Sequence, residues 1–150
     1  MIKMGMVDVT EKPIIKRYAE ASGRLYLKTD TINGIKAGNI KKGDPLLIAE
    51  IAGMNAAKQT HLLIPHCHQI PLDMVEIDFT VNDDCIDAVC TVSAQARTGV
   101  EMEALVGVSI ALNTILDTVK YIEKDPDGQY PLTKITDIRV LFKKKGENVL

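Results

Sequence analysis

Tryptophan is absent from this 150-residue chain, and the aromatic set is only four tyrosines and two phenylalanines. Proteins that hold single-stranded nucleic acid stack its bases on such rings, so the supply is thin for that task. Neither charge is in excess: 18 Lys and Arg stand against 20 Asp and Glu, a formal net charge of −2. The cationic balance of a general nucleic-acid binder is missing. Cysteine is scarce and odd in number, Cys67, Cys85 and Cys90, with no Cys-x-x-Cys pair. That argues against an oxidised disulfide framework and fits a reducing, cytoplasmic compartment. No window of about 20 residues is free of charge, so no membrane-spanning helix is expected. Residues 1–10 lack the apolar stretch of a signal peptide. Repeats, low-complexity tracts and Pro/Gly/Ser-rich linkers are also missing, so one domain over residues 1–150 is expected.

What is present is a normal globular composition, 46% apolar and 25% charged, enough to close a hydrophobic core. Alternation around Tyr18, Leu25 and Leu27 predicts a strand over residues 17–27, bulged at Gly23. Residues 29–40 read as a short helix or turn region broken by Gly34 and Gly38. Asp44 and Pro45 form a helix start, cap and first position, and apolar residues at helical spacing continue to Leu62. That helix should end before Pro65. Strands are predicted over 73–81 and 86–96 with a turn at Asn82-Asp83-Asp84. Residues 99–123 form the most apolar helix, apolar almost all round from Ala104 to Leu116. Such a helix is buried on several sides or lies at a subunit interface. A last strand covers 135–142. The order β-α-β-β-α-β points to an α+β, ferredoxin-like antiparallel sheet covered by two long helices.

Four constellations offer chemistry. His61, His66 and His68 lie close together, and two imidazoles at alternate positions of an extended segment can bind zinc. The spacing fits no zinc-finger pattern, and the alternative is one histidine orienting a polar ligand. Glu101 and Glu103 open the apolar helix, where acids are favoured by its partial positive charge. Thr98 reads as a cap there, with Glu101 as its capping-box partner. Asp117 and Lys120 share a helix face at i, i+3, either as a surface ion pair or as an acid–base unit. Arg17, Lys42, Lys58, Lys120 and the run Lys143-Lys144-Lys145 could converge on a phosphorylated substrate.

Longer strings connect these features. Met6-Val7-Asp8-Val9, Lys42-Gly43-Asp44, Ile51-Ala52-Gly53-Met54-Asn55-Ala56-Ala57-Lys58, Leu63-Ile64-Pro65-His66-Cys67-His68 and Thr98-Gly99-Val100-Glu101-Met102-Glu103-Ala104-Leu105 occur in that order. With them the chain closely resembles the molybdenum cofactor biosynthesis protein C (MoaC) family, the cyclic pyranopterin monophosphate synthases. The resemblance implies a ferredoxin-like fold and a homohexamer, a trimer of dimers, with active sites at subunit contacts. The implied reaction converts 3′,8-cyclo-7,8-dihydro-GTP to cyclic pyranopterin monophosphate and diphosphate, without a metal or organic cofactor. By motif position it assigns catalysis to Lys42, Asp117 and Lys120. Substrate binding falls to Arg17, Lys58, Cys67, His68, Glu101, Met102, Glu103 and Lys143. The expected partners are the nucleotide substrate and further copies of the chain, with neither nucleic acid nor membrane.

The sequence departs from the family pattern at His66-Cys67-His68-Gln69-Ile70, at Leu116-Asp117-Thr118, and in the tail Lys144-Lys145-Gly146-Glu147-Asn148. The tail change bears on Lys143 and not on the residues assigned to chemistry. A lysine near another cation, or partly desolvated, has a lowered pKa and can shuttle protons near neutrality; Lys42 and Lys120 are the candidates. Independently of any family, Glu103 and Asp117 lie 14 residues apart on one expected helix, about 21 Å along its axis. A compact nucleotide site cannot reach both from one chain, so a shared site should be built by two subunits.

Overall fold

The computed structural model describes residues 2–146. Its elements are β1 (Ile15–Tyr26), α1 (Thr29–Ala37), α2 (Pro45–Lys58), α3 (Thr60–Leu63), β2 (Met74–Val81), β3 (Cys85–Ala96), α4 (Glu101–Glu123) and β4 (Lys134–Lys145). The strands form one open antiparallel sheet in the order β2-β3-β1-β4. This is the expected α+β, ferredoxin-like arrangement, with α1 and α3 added as short pieces.

Strand periodicity decides which face meets the helices. On β1, Ala19, Ala21 and Leu25 are buried, and on β3 so are Ile86, Ala88, Cys90, Val92 and Ala94. Alternate residues point the other way; on that face Arg24 grips Asp87 with two hydrogen bonds of 2.7 and 3.0 Å. The β1–β3 ladder runs unbroken from Ile15↔Ala96 to Tyr26↔Cys85. The β1–β4 ladder shifts register twice, once across Gly23. There Ser22 pairs with Arg139 and Arg24 with Thr136, so Asp137 and Ile138 together face Gly23. The bulge anticipated at Gly23 is therefore present, but the extra residue belongs to β4, where Asp137 adopts a left-handed φ of 57°.

Helices α2 and α4 cover the buried face, crossing antiparallel at two glycines. A side chain on Gly53 would stand 2.8 Å from the Gly107 carbonyl oxygen, and one on Gly107 would stand 2.7 Å from Cys90 Sγ. Ala49, Ala57, Ala104 and Ala111 are buried as well. Small residues at the crossing let the helix backbones approach closely and leave no room for a larger side chain. Helix α4 has the length and apolar content to cross a membrane, yet half of its most apolar stretch is buried in this fold. Ala104, Val108, Ala111, Leu112, Ile115 and Val119 are among the buried residues.

Three helix boundaries differ from the sequence expectation. Gly34 lies inside α1, and only Gly38, at φ 71°, ends it. The helix from Pro45 stops at Lys58 and restarts as α3. At that break Thr60 Oγ1 donates to the Ala57 carbonyl at 2.9 Å, a local bond that competes with the helical ladder. The chain then becomes extended at Ile64, before Pro65. Helix α4 begins at Glu101 with Val100 as its N-cap and no side-chain cap. Thr98 sits two residues upstream of that cap, so the anticipated capping box does not form.

The packing at the helix crossing gives a direct test. Gly53→Val should destabilise the protein by about 2 kcal/mol, because the carbonyl it meets belongs to helix backbone and cannot move aside. Urea unfolding measures this, and an unchanged midpoint would contradict the close crossing.

Candidate active site

Two polar clusters occupy opposite ends of α4. At its C-terminal end Lys120 Nζ lies 2.9 Å from Asp117 Oδ1. The loop between α1 and α2 brings in Lys42, whose Nζ donates to the Asp117 main-chain oxygen at 3.3 Å. Local chemistry fixes that loop: Gly43 N–H donates to the Ile40 carbonyl at 3.2 Å, and Asp44 caps α2 by accepting from Leu46 and Leu47 N–H. The three residues assigned to catalysis thus come together from two segments, α4 and the loop before α2. Asp117 and Lys120 border an open cleft of about 360 Å³ with Asn113, Leu116, Tyr130 and Thr133.

The electrostatics here correct one expectation. Lys120 is not held below its ordinary pKa. Its hydrogen bond to Asp117, and then the charge of Asp117, push it up. Asp117 in turn is held below the usual carboxylate range, first by Lys120 and then by the charge of Lys42. The pair therefore sits as ammonium and carboxylate at neutral pH, which makes Lys120 a proton donor and a cation before it can be a base.

At the N-terminal end of α4 the side chains are more enclosed. Glu103 is 4% exposed, and burial, reinforced by the charge of Glu101, pushes its pKa up to about 7. Burial also pushes the Cys67 thiol up, with further contributions from Glu103 and Glu101. Cys67 is thus beside the acid pair and held protonated. Lys143 Nζ reaches Glu101 Oε1 at 3.4 Å. One oxygen of each carboxylate, Glu101 Oε2 and Glu103 Oε2, is buried with no hydrogen-bond partner among the described residues. Arg17 is buried and donates Nε–H to the Ala96 carbonyl at 3.3 Å. It lines a cleft of about 440 Å³ with Lys12, Thr98, Glu101 and Lys143.

His68, Met102 and Lys58 are the remaining expected site residues. His68 donates its Nε2–H to the Val7 carbonyl at 2.7 Å, which ties it to the N-terminal segment. Met102 is half-buried between the two glutamates. Lys58 is exposed at the end of α2, which the antiparallel crossing brings to the Glu103 end, and makes no ion pair among the described residues. His61 lies on α3 and His66 is exposed in the following turn. Among the described residues no three His, Cys, Asp or Glu side chains form a group that could hold a metal ion, so the zinc alternative finds no ligand set. Positions 147 and 148 of the altered tail lie outside the described residues.

Sequence reasoning missed three contributors. Tyr121 accepts a hydrogen bond from Lys41 N–H at 2.8 Å, and Tyr130 borders the lysine cleft. Glu123, fully buried at the end of α4, accepts from Lys28 N–H at 3.1 Å and Thr133 Oγ1 at 2.5 Å, and bonds Thr31 Oγ1. It holds the start of α1 and the approach to β4 on the end of α4. An acid in the last helical turn opposes the macrodipole, and that was the available signal for it.

Glu103 makes stability depend on pH. Its proton is held to about pH 7 in the fold but is lost near the ordinary value of 4.5 in the unfolded chain. Between those values the folded form binds more protons, so stability falls as pH rises through this window. Glu103→Gln should therefore raise Tm by several degrees at pH 8 and by much less at pH 4.5, read by thermal unfolding. An equal effect at both would contradict the buried, raised carboxyl.

Known proteins resemble this chain over nearly its whole length. A Thermococcus kodakarensis protein, named as a probable cyclic pyranopterin monophosphate synthase, is 56% identical over 142 residues, covering 95% of this chain and 91% of its own. A Methanosphaerula palustris protein of the same name is 53% identical over 144 residues, covering 96% and 94%. A third, from Sulfolobus acidocaldarius, is 51% identical over 141 residues, covering 94% and 99%. The MoaC family profile matches residues 6–146, which takes in both clusters on α4, and the chain belongs to the MoaC family.

Proposed function

We propose that this protein is a cyclic pyranopterin monophosphate synthase of molybdenum cofactor biosynthesis, a lyase acting on 3′,8-cyclo-7,8-dihydro-GTP. The observation that carries the proposal is that the α1–α2 loop sets Lys42 on Asp117, which pairs with Lys120 on the same helix beside one cleft. Its reaction opens a guanine-derived ring, rebuilds a pterin and closes a cyclic phosphate. Each stage moves protons, and the last expels diphosphate. Lys120, kept charged by Asp117, supplies a proton to a leaving nitrogen or oxygen. Having given it up, the amine becomes a base and Asp117 favours its recharging. Lys42 is the second proton carrier. In the last stage a substrate hydroxyl attacks the α-phosphorus, its proton passes to an amine, and the P–O bond to diphosphate breaks with its electrons. Arg17, Lys58, His68 and Lys143 offset the charge on the departing group. Glu101 and Glu103 meet the purine's amide and amino edge by accepting its N–H groups. Met102 packs beside them, and Cys67, held protonated, serves as a binding contact rather than a nucleophile.

The same reading makes the site composite. Along α4 the two clusters are about 21 Å apart, so the Glu103 end of one chain meets the Asp117 end of another. The outer side of α2 and α3 exposes Leu47, Ile51, Leu62 and Leu63, an apolar stripe suited to a homo-oligomer contact. A hexamer, the trimer of dimers implied by the family, accommodates this. Three free cysteines are compatible with a reducing cytoplasm.

Purified protein given the cyclised dihydro-GTP should release pterin product and diphosphate, unchanged by a chelator. Lys42→Ala and Lys120→Ala should each lower kcat by at least about a hundredfold, the scale of one general acid or base. Folded wild type without turnover, or turnover abolished by the chelator, would contradict the proposal.

A further inference from the structure

Tyr121 lies four residues beyond Asp117, on the same face of α4. Both residues meet the loop that carries Lys42. Asp117 receives the lysine Nζ on its main-chain oxygen at 3.3 Å. Tyr121 Oη accepts the Lys41 main-chain N–H at 2.8 Å, one residue from the lysine itself. The loop's flanks are fixed by the buried Ile40 side chain and by the Asp44 cap. Between these flanks, Tyr121 ties the backbone at the root of the Lys42 side chain directly to the helix that bears Asp117 and Lys120.

This arrangement is poorly explained by stability alone. Tyr121 is 39% exposed, so its ring adds little to the core, and a hydrogen bond at a wet surface has small net worth. Its effect on geometry is larger. A lysine stem has four flexible carbons, and the amine's place in the cleft depends on where its Cα is held. Misplacement of a reacting group by about 1 Å costs heavily in rate. We infer that Tyr121 is a positioning residue that fixes Lys42 against the Asp117–Lys120 pair. The inference rests on the synthase reading, because it needs Lys42 to act in the reaction.

Tyr121→Phe removes the accepting oxygen and keeps the ring. Turnover of the cyclised dihydro-GTP by the variant should show kcat lowered about tenfold, equivalent to about 1.4 kcal/mol, with KM within twofold and Tm within about two degrees of wild type. Hydrogen exchange of the peptide spanning residues 39–44 should be faster in the variant, reporting the lost tie without reference to activity. A kcat within twofold of wild type would overturn the inference. So would a fall in kcat matched by a large fall in Tm and recovered on cooling, which would make Tyr121 a stability residue. Unchanged exchange would overturn it as well. Wild type without turnover would remove the synthase reading and, with it, the catalytic role of Tyr121. An active wild type with an unaffected variant removes the inference alone.

Discussion

The length and burial of α4 constrain everything else in this protein. Its 23 residues make a rod of about 34 Å, seated on the sheet through side chains as small as glycine and alanine where α2 crosses it. A close-packed helix cannot bend to bring its two ends together. The acids of its first turn and the Asp117–Lys120 pair are therefore held apart by the same packing that stabilises the fold. Glu123 fastens the far end by accepting from Lys28 and Thr133 and bonding Thr31, so the segments beside the lysine cleft are anchored to the same rod.

The two ends differ in the chemistry they allow. At the Asp117 end the side chains are open to water and carry opposite charges in contact, which keeps the lysine protonated. At the Glu103 end burial dominates: a carboxyl is raised to about 7, and a thiol is pushed up beside it. A neutral or half-ionised acid suits hydrogen bonding to a heterocycle edge. An exposed ammonium suits proton delivery and phosphate charge. Under the proposed function, the division of labour between heterocycle binding and proton transfer follows from solvent access as much as from residue type.

Much of this was legible in the sequence because the governing signals are local. Asp44-Pro45 marks a helix start by capping chemistry alone, and α2 begins there. Period-two alternation placed the strands, and the Gly23 irregularity was visible, although only the register showed that Asp137 on β4 supplies the extra residue. The Thr98 cap failed because a capping pattern does not say which residue leaves the helix, and the chain enters at Val100. The break at Gln59 depends on a threonine side chain turning back on its own helix. The expected site residues came from motif strings, whereas Tyr121 meets Lys41 80 positions away and Glu123 meets Lys28 and Thr31 more than 90 positions away. Such contacts have no signature in a single chain. The lowered pKa expected for Lys120 also failed, because its hydrogen bond to Asp117 and the charge of Asp117 set the sign.

The central claim is that one substrate site takes its acid pair from one chain and its lysine–aspartate pair from another. Mixing Glu103→Ala and Asp117→Ala proteins, each inactive alone, tests it most directly once subunit exchange has been demonstrated with differently tagged copies. If the sites are composite, exchanged oligomers contain some sites with both halves intact, and a fraction of wild-type turnover returns. If exchange is complete and no turnover returns, both halves must come from one chain, and the geometry of α4 has been misread.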